Sequence, residues 1–346
     1  MSDPSRSQPR TPIPDLGSGP SSDLVSDLVS DLGARRLLIV SGKGGVGRTT
    51  TAALLGATLA ARGRKILVAT TGLDDRLAWM LGVGALTNAA VEVSPGLSIQ
   101  RLHPPTCIEE YGALITRSQR LSHAVFSNRA VRRLMQALPG LDDFAVLGKI
   151  WHEACRALHY DTVIFDGPAS GHLRLVLGVP QALVETVAEG PLTREARAIR
   201  EALRDPGQSA AVLVGLPEAW PLTELAELAE SLRGEIGMHV GALVLNKVWP
   251  GDLPNRPEPG PPGPEPAPRS GAPAQPEIDA VLAVVSEIAA VGQTQRETVQ
   301  TWLEGHPRAR EQAVLSVPWR PQGLDGRHHL DALAAALSRW PQEAVA

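Results

Sequence analysis

A glycine-rich segment near residue 45 contains the residue types that bind phosphate groups. It reads Gly42-Lys-Gly-Gly-Val-Gly-Arg-Thr-Thr50, follows the predicted strand 36–41, and leads into a helix pattern. Glycines let backbone N–H groups turn toward phosphate oxygens, and the next helix adds its positive N-terminal end. Thr49 is placed to bind Mg²⁺, and Thr50 can reach a more distal phosphate. The predicted nucleotide-binding residues here are Gly42, Lys43, Gly44, Gly45, Val46, Gly47, Arg48, Thr49 and Thr50.

Arg48 occupies the position at which such a loop usually has lysine. Lysine is a compact point charge on a flexible stem, whereas arginine is a planar fork. We therefore expect ATP binding to survive at this loop and efficient hydrolysis to suffer.

Two motifs in this order resemble one family of ATPases. With Lys43, the loop is similar to Lys-Gly-Gly-Val-Gly-Lys-Thr-Thr, the deviant Walker A sequence of the MinD, ParA and ArsA group. The segment Asp161-Thr-Val-Ile-Phe-Asp166-Gly-Pro-Ala-Ser-Gly-His172 resembles the Walker B strand and the following Gly-His segment of ArsA-type anion-transporting ATPases. Eukaryotic relatives in that family deliver tail-anchored membrane proteins. The resemblance extends over about residues 36–336, apart from a Pro-rich insertion.

The resemblance implies a role for each matching residue. Lys43 would be the signature lysine that reaches the partner's nucleotide across a dimer interface. Asp166 would hold Mg²⁺ through water, Asn246 would contact the adenine edge, and Pro318 would lie where the family closes over the base. The predicted catalytic residues are Lys43, Arg48 and Asp166, and the predicted metal residues are Thr49 and Asp166.

Two of these positions have a structural alternative. An aspartate at a strand end, such as Asp166, is also a common turn former or helix cap. His172 would either sense the nucleotide state or make a structural hydrogen bond.

The resemblance breaks after the second predicted strand. The family normally has Asp-Pro-Ala there, with an aspartate that orients or deprotonates the attacking water, and alignment on Leu77 and Gly82 places Gly72 at that position. Asp74 or Asp75 would either replace it or be solvated loop carboxylates. Since positioning and charge stabilisation each contribute orders of magnitude to phosphoryl transfer, we expect slow or absent hydrolysis by this chain alone.

Apolar β-branched runs alternate with helical patterns along the chain, which is typical of stacked βαβ units. The sequence predicts an α/β fold, with a mostly parallel P-loop NTPase sheet covered by helices on both faces and a small helical subdomain over 106–158. The predicted strands are 37–41, 65–70, 97–102, 162–166, 210–215, 240–246 and 313–317.

Composition divides the chain into three parts. Residues 1–34 are predicted to be a disordered leader with a short helix, in which a four-residue repeat places Leu24, Leu28 and Leu32 on one face. Residues 35–249 and 277–341 would form a single ATPase domain. Residues 250–276 are dominated by Pro and Gly and predict a disordered insertion.

Charge and cysteine content argue against several classes of protein. The formal net charge of -4 and pI of about 6.2 give no support to nucleic-acid binding. Cys107 and Cys155 are too isolated to form the thiolate cluster that arsenite capture requires. No signal-peptide pattern occurs, and no uncharged apolar stretch reaches about 18 residues. We expect a cytoplasmic protein without stable membrane insertion.

Three functional hypotheses remain, each with ATP and Mg²⁺ as cofactors. The first is a nucleotide-gated dimeric ATPase that acts on an unidentified protein partner. The second, motivated by Arg48 and Gly72, is a noncatalytic subunit that pairs with an intact paralogous ATPase as a heterodimer. The third is a ParA-like localisation scaffold that uses the N-terminal helix and the insertion.

Overall fold

The computed structural model describes residues 21–116, 140–250, 275–321, 323–324 and 326–340. Within this part of the chain, nine strands form one sheet in the order β3-β4-β2-β5-β1-β6-β7-β8-β9. Their bounds are β1 Leu37–Gly42, β2 Ile66–Thr70, β3 Val91–Ser94, β4 Leu97–Arg101, β5 Thr162–Ala169, β6 Ser209–Gly215, β7 Val240–Val248, β8 Val314–Pro318 and β9 Ser338–Arg339.

Helices cover both faces of this sheet, so the predicted α/β fold class is confirmed. The helices are α1 Ser21–Gly33, α2 Arg48–Ala61, α3 Arg76–Met80, α4 Pro104–Thr116, α5 Leu141–His152, α6 Ser170–Thr186, α7 Pro191–Arg204, α8 Ala219–Ser231, α9 Gln275–Gly305, α10 Pro307–Arg310 and α11 Arg327–Ala335. Glu153–Ala157 and Leu232–Ile236 are π-helical turns.

Seven strands run parallel, in the sheet order β4, β2, β5, β1, β6, β7 and β8. The strands β3 and β9 pair antiparallel at the two edges. All seven predicted strands lie in the parallel part. Their residues are buried on both faces, which explains the continuous apolar runs. The two edge strands were missed because they have only four and two residues and Val91 is exposed. Such short strands carry little periodic signal.

Two apolar cores lie against the sheet. One contains side chains of α4 to α8, and the other contains side chains of α1, α2, α3 and α11. The predicted helical subdomain over 106–158 is described only in part, because residues 117–139 lie outside the described residues. Its described helices, α4 and α5, pack into the first core through Tyr111 and Phe144.

Helix α1 packs onto the second core instead of extending into solvent. Its buried residues are Val25, Val29 and Leu32, while Leu28 is only partly buried. This face differs from the predicted one because the i, i+4, i+7 stripe of a 3.6-residue helix starts at Val25. Residues 1–20 of the predicted leader and residues 251–274 of the predicted insertion lie outside the described residues.

The register of the central strands places their carboxyl ends together. Val40 of β1 pairs with Asp166 of β5, and Thr70 of β2 pairs with the same aspartate from the other side. Gly42 at the end of β1 lies opposite Val214 of β6. Ligands bind at this edge in open α/β sheets, near the strand where the order of connections reverses.

Candidate functional site

The glycine-rich loop (residues 42–50) connects β1 to α2 at this edge. Gly45 and Gly47 have φ of 84° and 99°, a region that favours glycine. A side chain at Gly47 would collide with the amide of Asn246, and one at Gly42 would collide with the carbonyl of Val214. The loop path therefore requires glycine at these positions, while Cβ atoms at Gly44 and Gly45 would point into open space.

Asp166 lies beside the start of α2, where three elements meet. The Thr49 hydroxyl donates to Asp166 Oδ2 at 2.8 Å, and the Thr70 hydroxyl donates to the same oxygen at 3.0 Å. The carboxyl is almost fully buried, with 6% of the residue exposed. Burial raises the pKa of Asp166, while both hydroxyl bonds and the charge of Arg48 act in the opposite direction.

These oxygens fit a magnesium ion that is shared with a nucleotide. Mg²⁺ prefers carboxylate and hydroxyl oxygens, keeps several waters, and is usually completed by phosphate oxygens. Asp166 and Thr49 supply one oxygen of each kind, 2.8 Å apart. Among the described residues no group of three His, Cys, Asp or Glu could hold a metal by itself. A metal here would therefore need oxygens from a phosphate.

A cavity of about 320 Å³ opens on another side of the glycine-rich loop. The lining residues are Gly45, Gly47, Thr50, Arg76, Trp79, Met80, Asn246, Lys247, Pro318, Trp319, Arg320, Pro321, Gly323, Leu324 and Leu333. The structure thus brings the predicted Asn246 and Pro318 together with the loop. The volume of this cavity is at the lower end of the range for small-molecule sites.

Sequence reasoning missed the two tryptophans of this cavity. Trp319 directly follows Pro318 and stacks on Trp249, with ring centroids 4.0 Å apart and an interplanar angle of 8°. Trp79 lies on α3 and is about half exposed. The usable signal for Trp319 was its place two residues after the end of the predicted strand 313–317.

Asn246 connects the end of β7 to the glycine-rich loop. Its Nδ2 donates to the Val46 carbonyl at 2.8 Å, and its Oδ1 accepts from the Lys247 N–H at 2.9 Å. Lys247 has a left-handed φ of 59°, which is unusual for a residue other than glycine. A primary amide has a second hydrogen and a second lone pair, so Asn246 keeps hydrogen-bonding capacity for a ligand.

Arg48 contacts the backbone that follows Asp166. Its Nη1 donates to the Gly167 carbonyl at 2.6 Å, and the guanidinium is partly buried. The arginine therefore links α2 to β5 in this structure. No local sequence pattern predicts this contact, because the two residues are 119 positions apart.

Lys43 forms an ion pair with Glu224 of α8. The Lys43 Nζ lies 2.7 Å from Glu224 Oε1, and the same oxygen accepts from Trp220 Nε1 at 3.2 Å. The lysine side chain remains 46% exposed. Sequence reasoning did not assign Glu224 any role, although the residue lies within the span 36–336 that resembles the family.

The segment 71–75 has two carboxylates with different surroundings. Asp75 Oδ1 accepts from Arg101 Nη2 at 2.8 Å and from the Leu86 N–H at 3.2 Å. Asp74 Oδ1 lies 3.9 Å from the point where a Cβ at Gly72 would stand. The charge of Asp74 also contributes to the raised pKa of Asp166. Asp74 is therefore the carboxylate that lies nearer the missing side chain.

His172 lies at the start of α6 but does not contact the glycine-rich loop. Its Nε2 is 3.1 Å from Asp143 Oδ1 on α5, and about half of its side chain is exposed. The contact joins the segment after Asp166 to the described part of the region 106–158. This geometry matches the structural alternative for His172 without testing a role in sensing nucleotide.

A sequence model of the family described as Anion-transporting ATPase matches residues 35–189. This span contains the glycine-rich loop, Asp166 and His172. Among curated proteins, ATPase BagA of Mycobacterium tuberculosis is 29% identical over 238 residues, which cover 65% of this chain and 68% of that protein.

Other relatives have names from the same family. ATPase GET3 of Pyricularia oryzae is 29% identical over 230 residues, or 60% of each chain. A putative arsenical pump-driving ATPase of Halobacterium salinarum is 26% identical over 259 residues, which cover 69% of this chain and 39% of that protein. These matches show that the chain is similar to the ArsA family of anion-transporting ATPases, most clearly over the residues that carry the glycine-rich loop and Asp166.

Proposed function

We propose that this chain binds Mg·ATP at the glycine-rich loop and works in the cytoplasm as a nucleotide-gated dimer with weak hydrolysis. The observation that supports the proposal most is the buried Asp166 carboxylate, which accepts the hydroxyls of Thr49 and Thr70 beside the loop. Burying a charged carboxylate is energetically unfavourable unless a cation or hydrogen bonds compensate for it. A magnesium ion brought by a nucleotide supplies such a cation.

Each residue of the site then has a task. The loop N–H groups and Thr50 bind phosphate oxygens, while Asn246 and Pro318 hold the nucleoside in the adjoining cavity. Bound Mg²⁺ would neutralise charge on the phosphates. Thr49 and Asp166 orient that ion, because their oxygens are held by the fold before any ligand arrives.

Gating would depend on Lys43. In the single chain its ammonium is bound to Glu224, but the pair is partly exposed, with 46% and 28% of the two side chains accessible. Exposed ion pairs contribute about 0–1 kcal/mol, so the lysine can leave Glu224 at little cost. Lys43 would then reach the nucleotide of a second protomer, as the family resemblance implies.

Hydrolysis would be weak because two positions lack the expected groups. Arg48 donates to the Gly167 carbonyl, and Gly72 has no carboxylate to orient water. Asp74 is placed to substitute, because its carboxylate lies beside the space above Gly72. It belongs to an exposed segment, so it is less fixed than a buried base.

The same two positions support a second candidate function. In it, the chain binds ATP without hydrolysing it and lends Lys43 to an intact paralogue in a heterodimer. We do not propose arsenite as the substrate in either case, because its capture requires clustered thiolates and burial raises the pKa of the Cys107 thiol to about 11.

Thermal unfolding and sedimentation of the purified chain test the first proposal. Mg·ATP at about 100 times its Kd should stabilise the protein by about 2.7 kcal/mol, and the dimer fraction should rise with it. If neither Mg·ATP nor Mg·ADP changes the unfolding temperature, all nucleotide-dependent functions fail together.

Steady-state ATP hydrolysis separates the two candidates. Slow turnover by the isolated chain, abolished by Asp166→Asn and unaffected by a paralogue, supports the gated ATPase. Turnover that occurs only in the mixture, and that Lys43→Ala in this chain removes, supports the noncatalytic subunit.

A further inference from the structure

A second cavity, of about 250 Å³, lies between α6, α7 and the π-helical turn Leu232–Ile236. We call it the α6–α7 cavity. It is lined by Arg174, Leu177, Gly178, Gln181, Ala182, Glu185, Arg200, Leu203, Arg204, Glu235 and Ile236. None of these residues belongs to the glycine-rich loop or to the cavity beside it. The nucleotide site therefore does not account for it.

Two guanidinium groups converge on a single neutral oxygen in this cavity. Arg200 Nη1 and Arg204 Nη2 donate to the same Gln181 Oε1, at 3.2 and 3.4 Å. An amide oxygen has no net charge, so it cannot offset the repulsion between two cations held this close. In the part of the chain that the structure describes, Arg200 Nε is buried and has no hydrogen-bond acceptor.

The carboxylates of the cavity are engaged with other groups. Glu185 accepts from the Gln181 amide, and Glu235 accepts from the Ser231 hydroxyl at 2.9 Å. Among the described residues, neither one forms an ion pair with Arg174, Arg200 or Arg204. Three arginines thus line one pocket without an ion pair to any carboxylate in the described part of the chain.

Apolar side chains form another part of the wall of the cavity. Leu177, Leu203 and Ile236 are buried in the first core and line the space next to the arginines. Gly178 adds no side chain on the α6 side. A ligand would meet both guanidinium groups and hydrocarbon, the combination of polar and apolar contacts found in small-molecule sites.

We propose that the α6–α7 cavity binds a small organic phosphate, such as a phosphomonoester. Guanidinium groups match phosphate oxygens with two parallel hydrogen bonds and stay charged at all relevant pH values. Arg200 and Arg204 would hold the phosphate, Arg174 would cover it from α6, and the three apolar residues would contact its carbon skeleton. This site is separate from the proposed nucleotide function and does not depend on it.

Calorimetric titration of the full chain with glycerol 3-phosphate tests the assignment. The wild type should bind with saturation, and Arg200→Gln/Arg204→Gln should lose affinity by about tenfold or more, because two charge-assisted hydrogen bonds are removed. Arg197→Gln is the matched control. Arg197 lies on the same helix but is paired with Glu189, so this variant should bind as the wild type does.

Binding of phosphate at the glycine-rich loop would be the same in all three proteins, so only the difference between them reports on the cavity. Unchanged affinity in the double variant, or no saturable binding by the wild type, overturns the proposal. If the double variant fails to fold by circular dichroism, Arg200→Lys replaces it. Arg200→Lys keeps the positive charge but loses the planar guanidinium group. It should bind glycerol 3-phosphate several times more weakly than the wild type does. Equal affinity for glycerate would show a general anion site and would overturn the assignment to phosphates.

Discussion

On the side of the glycine-rich loop that faces β5, the Asp166 residue is 6% exposed and accepts two threonine hydroxyls from two other elements. On the side that faces α8, Lys43 is 46% exposed and has one carboxylate partner, Glu224. Both contacts are short and charged. They differ in how much of the surrounding fold must change before they break.

This difference indicates which step of the function is built into the fold. A buried carboxylate that accepts several hydrogen bonds is held in position before its ligand binds. Breaking these hydrogen bonds leaves buried polar groups unsatisfied. An exposed ion pair exchanges with water or another charge at little cost. The β5 side is therefore suited to holding a bound ligand in one geometry, and the α8 side is suited to a contact that exchanges.

The largest expected effect is a loss of affinity for Mg·ATP on the β5 side of the loop. Asp166→Asn keeps the shape and can still accept both hydroxyls, but it removes the charge that would hold magnesium through water. We expect the affinity for Mg·ATP to fall about 100-fold, at the upper end for groups that act on a metal indirectly. Calorimetry with and without EDTA measures this loss. Asp161→Asn, at the other end of β5, is the control, and an equal loss there would indicate damage to the strand.

A glycine of the loop should have the next largest effect. Gly47→Ala places a Cβ at a φ of 99° and against the Asn246 amide. A left-handed residue other than glycine costs about 1–2 kcal/mol, and we expect at least that loss in the free energy of unfolding. Urea denaturation measures it. Gly44→Ala should be nearly neutral because its Cβ would point into open space, and equal losses in the two variants would contradict the argument.

How far the sequence could predict these two sides depends on the distance between the partners along the chain. The seven parallel strands and the loop were predictable, because buried β-branched runs and clustered glycines are local signals. The register that brings Thr70 beside Asp166 follows from strand order, which no local pattern encodes. Lys43 and Glu224 are 181 positions apart, so their ion pair could not be found from spacing.

Helix α1 gives a more local example of the same limit. Its four-residue repeat predicted the helix, but two faces, one of leucines and one of valines, were both apolar. Packing onto the second core selected the face of Val25, Val29 and Leu32. Only the position of the neighbouring helix could decide between the two faces.

Restoring the groups expected at positions 48 and 72 should raise the rate of ATP hydrolysis. Arg48→Lys/Gly72→Asp supplies a flexible cation and a carboxylate beside Asp74. We expect turnover to rise by about tenfold, a conservative value for a positioned acid or base. Phosphate release under steady-state conditions measures it. Asp75→Asn serves as the control in the same segment, because Asp75 is bound to Arg101 and should not affect turnover. No increase in the double variant would favour the noncatalytic subunit.

A decrease in pH should gradually weaken the binding of Mg·ATP on the β5 side of the loop. Burial raises the pKa of Asp166, and the protonated form cannot attract magnesium. The affinity for Mg·ATP should therefore fall severalfold as the pH decreases from neutral toward that raised pKa. Since ATP itself takes up protons in this range, the comparison is made with Asp166→Asn, whose weaker binding lacks the aspartate contribution. Parallel pH profiles for the two proteins would contradict this origin.

The smallest effect should come from the α8 side. Glu224→Gln removes the charge that holds Lys43 while keeping a hydrogen-bond acceptor for Trp220. Because the pair is partly exposed, we expect the free energy of unfolding to change by less than about 1 kcal/mol. The freed lysine should raise the dimer fraction in Mg·ATP, measured by sedimentation. Glu227→Gln, one turn away on α8, should change neither quantity. A large loss of stability in Glu224→Gln without any gain in dimer would mean that the ion pair holds the fold together and that Lys43 is not a switch.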